Sequence, residues 1–143
     1  MKLGDIMTKS VVTVHMDDTL QRIRDIFGES EFHHLVVTDE GKVVGVISDR
    51  DLLKQLSPFA GHVLMERQQD LNIFKRRAHQ IMRRRPVVAR EHMPLAEASD
   101  LLMRKGVTCL PIVSRDWRVR GIVTWRDLLP HCFRCKPSEA DAA

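Results

Sequence analysis

The 143-residue sequence predicts an α/β fold in which two pseudo-symmetric β-α-β-β-α repeats pack sheet to sheet. Three observations lead to it. Much of the first half recurs in the second at a fixed offset, the mark of an internal duplication. Each copy alternates strand-like apolar runs with short amphipathic helices. A unit of about 50 residues has too little interior to bury both a helical and a sheet face alone, so the two copies must share a core.

The recurrence is specific. Asp5-Ile6-Met7-Thr8 and the residues up to Val12 answer Gln80-Ile81-Met82-Arg83 and the residues up to Val87 at an offset of 75. Leu20, Ile23, Ile26 and Phe27 answer Leu95, Ala98, Leu101 and Leu102 in the same way. Gly45-Val46-Ile47-Ser48-Asp49-Arg50-Asp51-Leu52-Leu53 answers Gly121-Ile122-Val123-Thr124-Trp125-Arg126-Asp127-Leu128-Leu129 at 76. The one extra residue falls between Val113 and Val119, in a polar turn where an insertion costs little. The repeats are expected over 1–56 and 81–131, with a linker at 57–80 and a tail at 132–143.

An extended run opens each repeat, at 11–14 and 87–89, and an amphipathic helix follows. In the first repeat the helix starts near Thr19 and sets Leu20, Ile23 and Phe27 on one face, behind Asp17, Asp18 and Thr19 as acidic and capping residues. In the second, Pro94 occupies the first turn, where proline is tolerated, and Gly106 ends the helix. A hairpin comes next, 35–38 and 43–47 around Asp39-Glu40-Gly41-Lys42, or 110–113 and 119–123. A last helix begins at Ser48 or Thr124. In the linker, Ser57-Pro58 breaks that helix and Gly61 permits a turn. Residues 63–81 then read as another helix, with Leu64, Leu71, Phe74 and Ala78 as its apolar seam.

Composition narrows the class. A hydrophobic content of 43% and a charged content of 29% fit an ordinary globular protein. The net charge of +4 is too modest to call for a polyanionic partner. No apolar run approaches the roughly 20 residues that span a bilayer, and the N-terminus lacks the apolar stretch of a signal peptide. Three cysteines, an odd number without a secretory signal, point to reduced thiols and a cytoplasmic protein that does not engage membranes.

The chemistry gathers where each hairpin turns into its last helix. Ser48 and Thr124 stand at strand-to-helix junctions, where free backbone amides favour an anion and a hydroxyl adds a donor. Asp51 and Asp127, one turn later, offer paired acceptor oxygens suited to a vicinal diol. Arg50 and Arg126 lie beside the anion end. Gly45 and Gly121 permit close approach of a ligand or of backbone. Each Ser/Thr-x-x-Asp also reads as a helix capping box that needs no ligand, and only its duplication with matching Gly and Arg favours binding.

These residues, with the Asp5-Ile6-Met7-Thr8 opening and its counterpart Ile81-Met82, make the chain resemble a pair of cystathionine β-synthase-type (CBS) domains of the stand-alone bacterial kind, a Bateman-type module. The resemblance implies a non-catalytic regulatory protein with no required cofactor. It would bind AMP, ADP, ATP or a related adenosine compound, with Ser/Thr on phosphate and Asp on the ribose hydroxyls. One site would combine Ile122, Thr124 and Asp127 with Val12, His33 and His34. The other would combine Val46, Ser48 and Asp51 with Val87, Thr108 and Cys109. Val36 departs from the family, standing where proline is common and where Pro111 supplies it in the second repeat. Such modules dimerise through their helices, here through Leu20, Leu52, Leu56, Leu95, Leu101 and Leu128, and signal to a separate effector protein.

Other constellations point elsewhere. Residues 71–90 contain Lys75, Arg76, Arg77, Arg83, Arg84, Arg85 and Arg90 and no acid. They read as a solvated linker, as a contact for a ligand with several phosphates, or as a nucleic-acid- or protein-interaction surface over 75–90; helix-turn-helix, zinc-finger and aromatic-stacking signatures of nucleic-acid binding are absent. Cys132 and Cys135 form a Cys-x-x-Cys without a second pair or a thioredoxin-like context, leaving a shared zinc site or a redox pair as minor alternatives. His33-His34 does not read as a metal site, because adjacent strand residues face opposite ways. Cys109 reads as a small core residue. No nucleophile, base and orienting group fall together in a motif.

Overall fold

The computed structural model describes residues 1–56 and 73–132. The first sheet has four strands in the order β1 (Thr13–His15), β2 (His34–Asp39), β3 (Lys42–Ser48) and β4 (Arg83–Arg84). β1 runs parallel to β2, and β2, β3 and β4 alternate in direction. The tight turn between β2 and β3 places both Glu40 and Gly41 at positive φ, 52° and 79°, the twist a two-residue hairpin requires. Behind the sheet lie α2 (Leu20–Glu29), capped by the Thr19 hydroxyl accepting from the Arg22 amide, and α3 (Asp49–Leu56). Two four-residue helices, α1 (Leu3–Ile6) and α4 (Ala78–Ile81), precede the two repeats.

The second repeat follows the same plan with α5 (Leu95–Lys105), β5 (Cys109–Val113), β6 (Val119–Thr124) and α6 (Trp125–Cys132). Pro94 is the residue before α5, and Gly106 closes it at φ 62° in the left-handed region. Its outer strands are reduced to single bridges, Ala89 parallel to Ile112 and Thr8 antiparallel to Ile122. These occupy the positions of Val14 on Val37 and of Arg83 on Val46 in the first sheet. Both hairpins carry a register shift at the equivalent place, after Val37 and after Ile112.

Each repeat takes its opening segment from the other. Leu3 is fully buried in a core with Ala98, Leu102, Leu110, Ile112 and Leu128, all from the second repeat. Ala78, its counterpart, is fully buried among Leu20, Ile23, Leu35, Ile47 and Leu52 of the first. Backbone bonds fix both crossings: Leu3 N donates to Met93 O at 2.9 Å, and Ala78 N donates to Asp18 O at 2.8 Å. The repeated glycines are explained here. A Cβ on Gly45 would lie 2.5 Å from Met82 Sδ, and one on Gly121 would lie 2.6 Å from Met7 Sδ. What approaches these strands is the other repeat's opening segment, not a ligand. Val36, Val43 and Val113 form a third, smaller cluster where the two sheets face each other.

Two expectations are corrected. The helix expected over 63–81 does not reach Ile81 unbroken: residues 75–77 leave helical geometry, Arg77 is extended at φ −97°, and α4 starts afresh. The leucines expected on a dimer face largely point inward. Leu20, Leu52 and Leu128 are buried and Leu95 and Leu101 half-buried, because they face the sheets. Among the described residues, the exposed large apolar side chains on the helices are Leu53 and Leu129, one position further on, and Met103. Ser57-Pro58, Gly61, Leu64, Leu71, Cys135 and the tail from 133, with the side chains of Leu56 and Cys132, lie outside the described residues.

Candidate functional site

The carboxyl ends of β3 and β6 and the first turns of α3 and α6 open into one continuous cleft of about 920 Å³. Ligand-sized clefts commonly fall within that range. The duplication that builds the fold therefore brings two copies of the same helix N-terminus to one opening.

Ser48 and Asp51 cap α3 reciprocally. The Ser48 amide donates to Asp51 Oδ2 at 2.9 Å, and the Asp51 amide donates to the Ser48 hydroxyl at 3.1 Å. At α6, Asp127 Oδ2 accepts from the Thr124 amide at 2.8 Å and from its hydroxyl at 3.3 Å. The caps leave one oxygen of each carboxylate for other partners. Asp51 Oδ1 faces Arg83 Nε at 3.4 Å, while no basic side chain among the described residues pairs with Asp127.

The histidines sit where the halves meet. His33 Nδ1 lies 2.8 Å from Asp49 Oδ2, and His34 Nε2 shares a 2.8 Å hydrogen bond with Thr108 Oγ1 across the two repeats. Burial holds the His34 pKa below its ordinary 6.5; Asp49 and Asp51 oppose the shift, His33 and Arg83 add to it. Burial likewise pushes the Cys109 thiol up to about 12, which makes it an unreactive wall. Among the described residues no group of three or more His, Cys, Asp or Glu is placed to hold a metal ion.

All fourteen residues expected at the two sites line this cleft: Val12, His33, His34, Val46, Ser48, Arg50, Asp51, Val87, Thr108, Cys109, Ile122, Thr124, Arg126 and Asp127. They line one continuous opening, in which the Ser48–Asp51 cap and the Thr124–Asp127 cap each mark one arm. Arg83 to Arg85 line it as well, but the rest of the basic segment goes elsewhere. Arg76 donates to Gln55, Arg77 to the Asp17 carbonyl, and Arg90 to the carbonyls of Val113 and Ser114. The sequence reading passed over Thr8, Phe32, Asp49 and Trp125, which line the cleft too. Asp49 and Trp125 occupy the same position of the repeat with different side chains, so matching the copies gave no signal for them.

Residues 3–58 and 78–133 match the family described as CBS domain. A CBS domain-containing protein of Dictyostelium discoideum is 34% identical over 126 residues, 87% of this chain and 86% of that protein. Among solved structures, the CBS domain pair of protein MJ0100 in complex with 5′-methylthioadenosine and S-adenosyl-L-methionine is similar at a TM-score of 0.77 and 26% identity, covering 95% of this chain and 98% of that one. CBSX2 of Arabidopsis thaliana in complex with AMP is similar at 0.76 and 25% identity, covering 95% and 98%.

Proposed function

Because this chain belongs to the CBS domain family, as a pair of such domains, we propose that it is a regulatory module whose cleft binds an adenosine-containing nucleotide, AMP, ADP, ATP or a related compound. The observation that carries this reading is the doubled motif. Ser48 with Asp51 and Thr124 with Asp127 place an anion-favouring helix N-terminus and a diol-accepting carboxylate on each arm of one cleft. Adenosine compounds in the MJ0100 and CBSX2 complexes support the ligand class. Leu53, Met103 and Leu129 give a homodimer an apolar surface, and a separate effector would read the bound state. No helix among the described residues is long and apolar enough to cross a membrane.

A thermal-shift screen against AMP, ADP, ATP, NAD, NADH, S-adenosylmethionine and cyclic dinucleotides tests this. Saturation at about 100 times the Kd adds about 2.7 kcal/mol, a rise of several degrees for a chain of this size. The control is the double variant Asp51→Asn/Asp127→Asn. Asparagine keeps an acceptor oxygen for the caps, whereas alanine would uncap both helices at a cost of about 1 kcal/mol each. A selective rise that disappears in the double variant is expected. No rise with any compound, from protein freed of ligand by unfolding and refolding, would refute the proposal.

A further inference from the structure

On the reading of the cleft as a nucleotide site, we infer that its two arms differ in ligand and that Arg83 sets the difference. The Asp51 arm selects phosphorylated nucleosides, and the Asp127 arm accepts the free nucleoside as well.

Both oxygens of Asp51 are engaged. Oδ2 holds the Ser48 amide at 2.9 Å, and Oδ1 faces Arg83 Nε at 3.4 Å. A ribose diol that enters this arm must take Oδ1 from a guanidinium, and a neutral nucleoside offers that guanidinium nothing in return. A phosphate does. It gives Arg83 an anion to bind, with Arg84 and Arg85 beside it, and so releases Asp51 for the diol. The exposures fit such an exchange: the Arg83 side chain is 56% exposed on a two-residue edge strand, while Asp51 is 11% exposed and tied into a helix cap.

The other arm lacks this device. Thr8 bridges to Ile122 as Arg83 pairs with Val46, so Thr8 holds the place in the Asp127 arm that Arg83 holds in the Asp51 arm. Threonine carries no charge, Ser10 stands at the register of Arg85, and Lys9, at the register of Arg84, does not line the cleft. Asp127 Oδ1 has no hydrogen-bond partner among the described residues and is open to a diol at once. The duplication fixed the carboxylates in both arms and let the facing residue diverge.

Calorimetry on the full chain reads each arm with the other silenced. In the Asp127→Asn protein, AMP should bind well and adenosine poorly. Adding Arg83→Thr should move the two ligands in opposite directions, adenosine tighter and AMP weaker, each by roughly tenfold, the scale of one charge-assisted contact. Arg83→Gln, which keeps the length and loses the charge, should act alike, and unchanged melting temperatures show that the fold is intact. In the Asp51→Asn protein, Thr8→Arg should impose the AMP preference on the other arm. If Arg83→Thr weakens both ligands together, or changes neither while the Asp127→Asn parent still binds AMP, the inference is overturned and the nucleotide reading stands. If the wild-type chain binds neither adenosine, AMP nor ATP, the nucleotide reading fails and this one with it.

Discussion

His34 is the titratable residue on which the cleft makes the clearest demand. Its ring joins Thr108 across the repeats in a half-buried setting, with Asp49, Asp51, His33 and Arg83 around it, and burial holds its pKa below 6.5. The unfolded imidazole therefore binds protons that the folded one refuses. The stability contributed by neutral His34 is complete above 6.5 and drains away as pH falls through that value toward the folded pKa. Urea titrations at about pH 7.5 and about pH 5.5 should show the wild type losing more stability on acidification than His34→Gln, which does not titrate. Equal losses would mean that His34 is protonated freely in the fold. At this scale the sequence was legible wherever the two copies agree. Ser48, Thr124, Asp51 and Asp127 stood out because each has a twin. Arg83 facing Asp51 did not, since its twin is Thr8, and a contact between residues 32 positions apart leaves no local pattern.

The elements separate into those with a period and those without. The hairpins and the four longer helices were readable from alternation, caps and the glycine after α5. The four-residue helix α1 was not, and α4 was legible only as the end of a longer helix, because one turn is too short to show a 3.6-residue repeat. Adjacent leucines were ambiguous for the same reason: Leu52-Leu53 and Leu128-Leu129 each put one side chain in the core and one outside, and sequence alone did not say which. Gly45 and Gly121 stand out as a matched pair, and the contact that needs them is with the other repeat's opening segment. Gly45→Ala and Gly121→Ala should each destabilise by about 1–3 kcal/mol through overpacking against Met82 or Met7. Shortening the methionine to alanine should recover part of the loss at Gly45. Recovery should be equally partial at Gly121, because the added carbon lies 3.0 Å from the Arg83 carbonyl at Gly45 and 2.9 Å from the Thr8 carbonyl at Gly121, and backbone cannot step aside. Full recovery at both, measured by denaturant unfolding, would place the strain in the sulfur alone.

For the whole molecule, the offset showed that two units share a core, but correspondence between copies does not tell which copy a segment docks on. Leu3 belongs to the first repeat by sequence and to the second core by packing. Two repeats crossed in this way should not unfold separately. Both tryptophans, Trp117 and Trp125, lie in the second repeat, so fluorescence reports that half while far-UV circular dichroism reports both. The two probes should give coincident urea transitions in the wild type. Leu3→Ala should shift both together by about 2–5 kcal/mol, the cost of a large core truncation. Separated transitions would show that the crossed segments do not couple the halves.

The crossing also sets an order in time. Leu3 bonds to Met93 and Thr8 pairs with Ile122, so residues 3–8 leave the ribosome about 90 to 114 residues ahead of their partners. At typical synthesis rates that is roughly ten seconds of exposure for Leu3, Ile6 and Met7. The first repeat waits less, until Ala78 and Arg83 emerge to close its sheet. For these opening residues synthesis and pairing stand far apart in time, and the cleft exists only once both have happened.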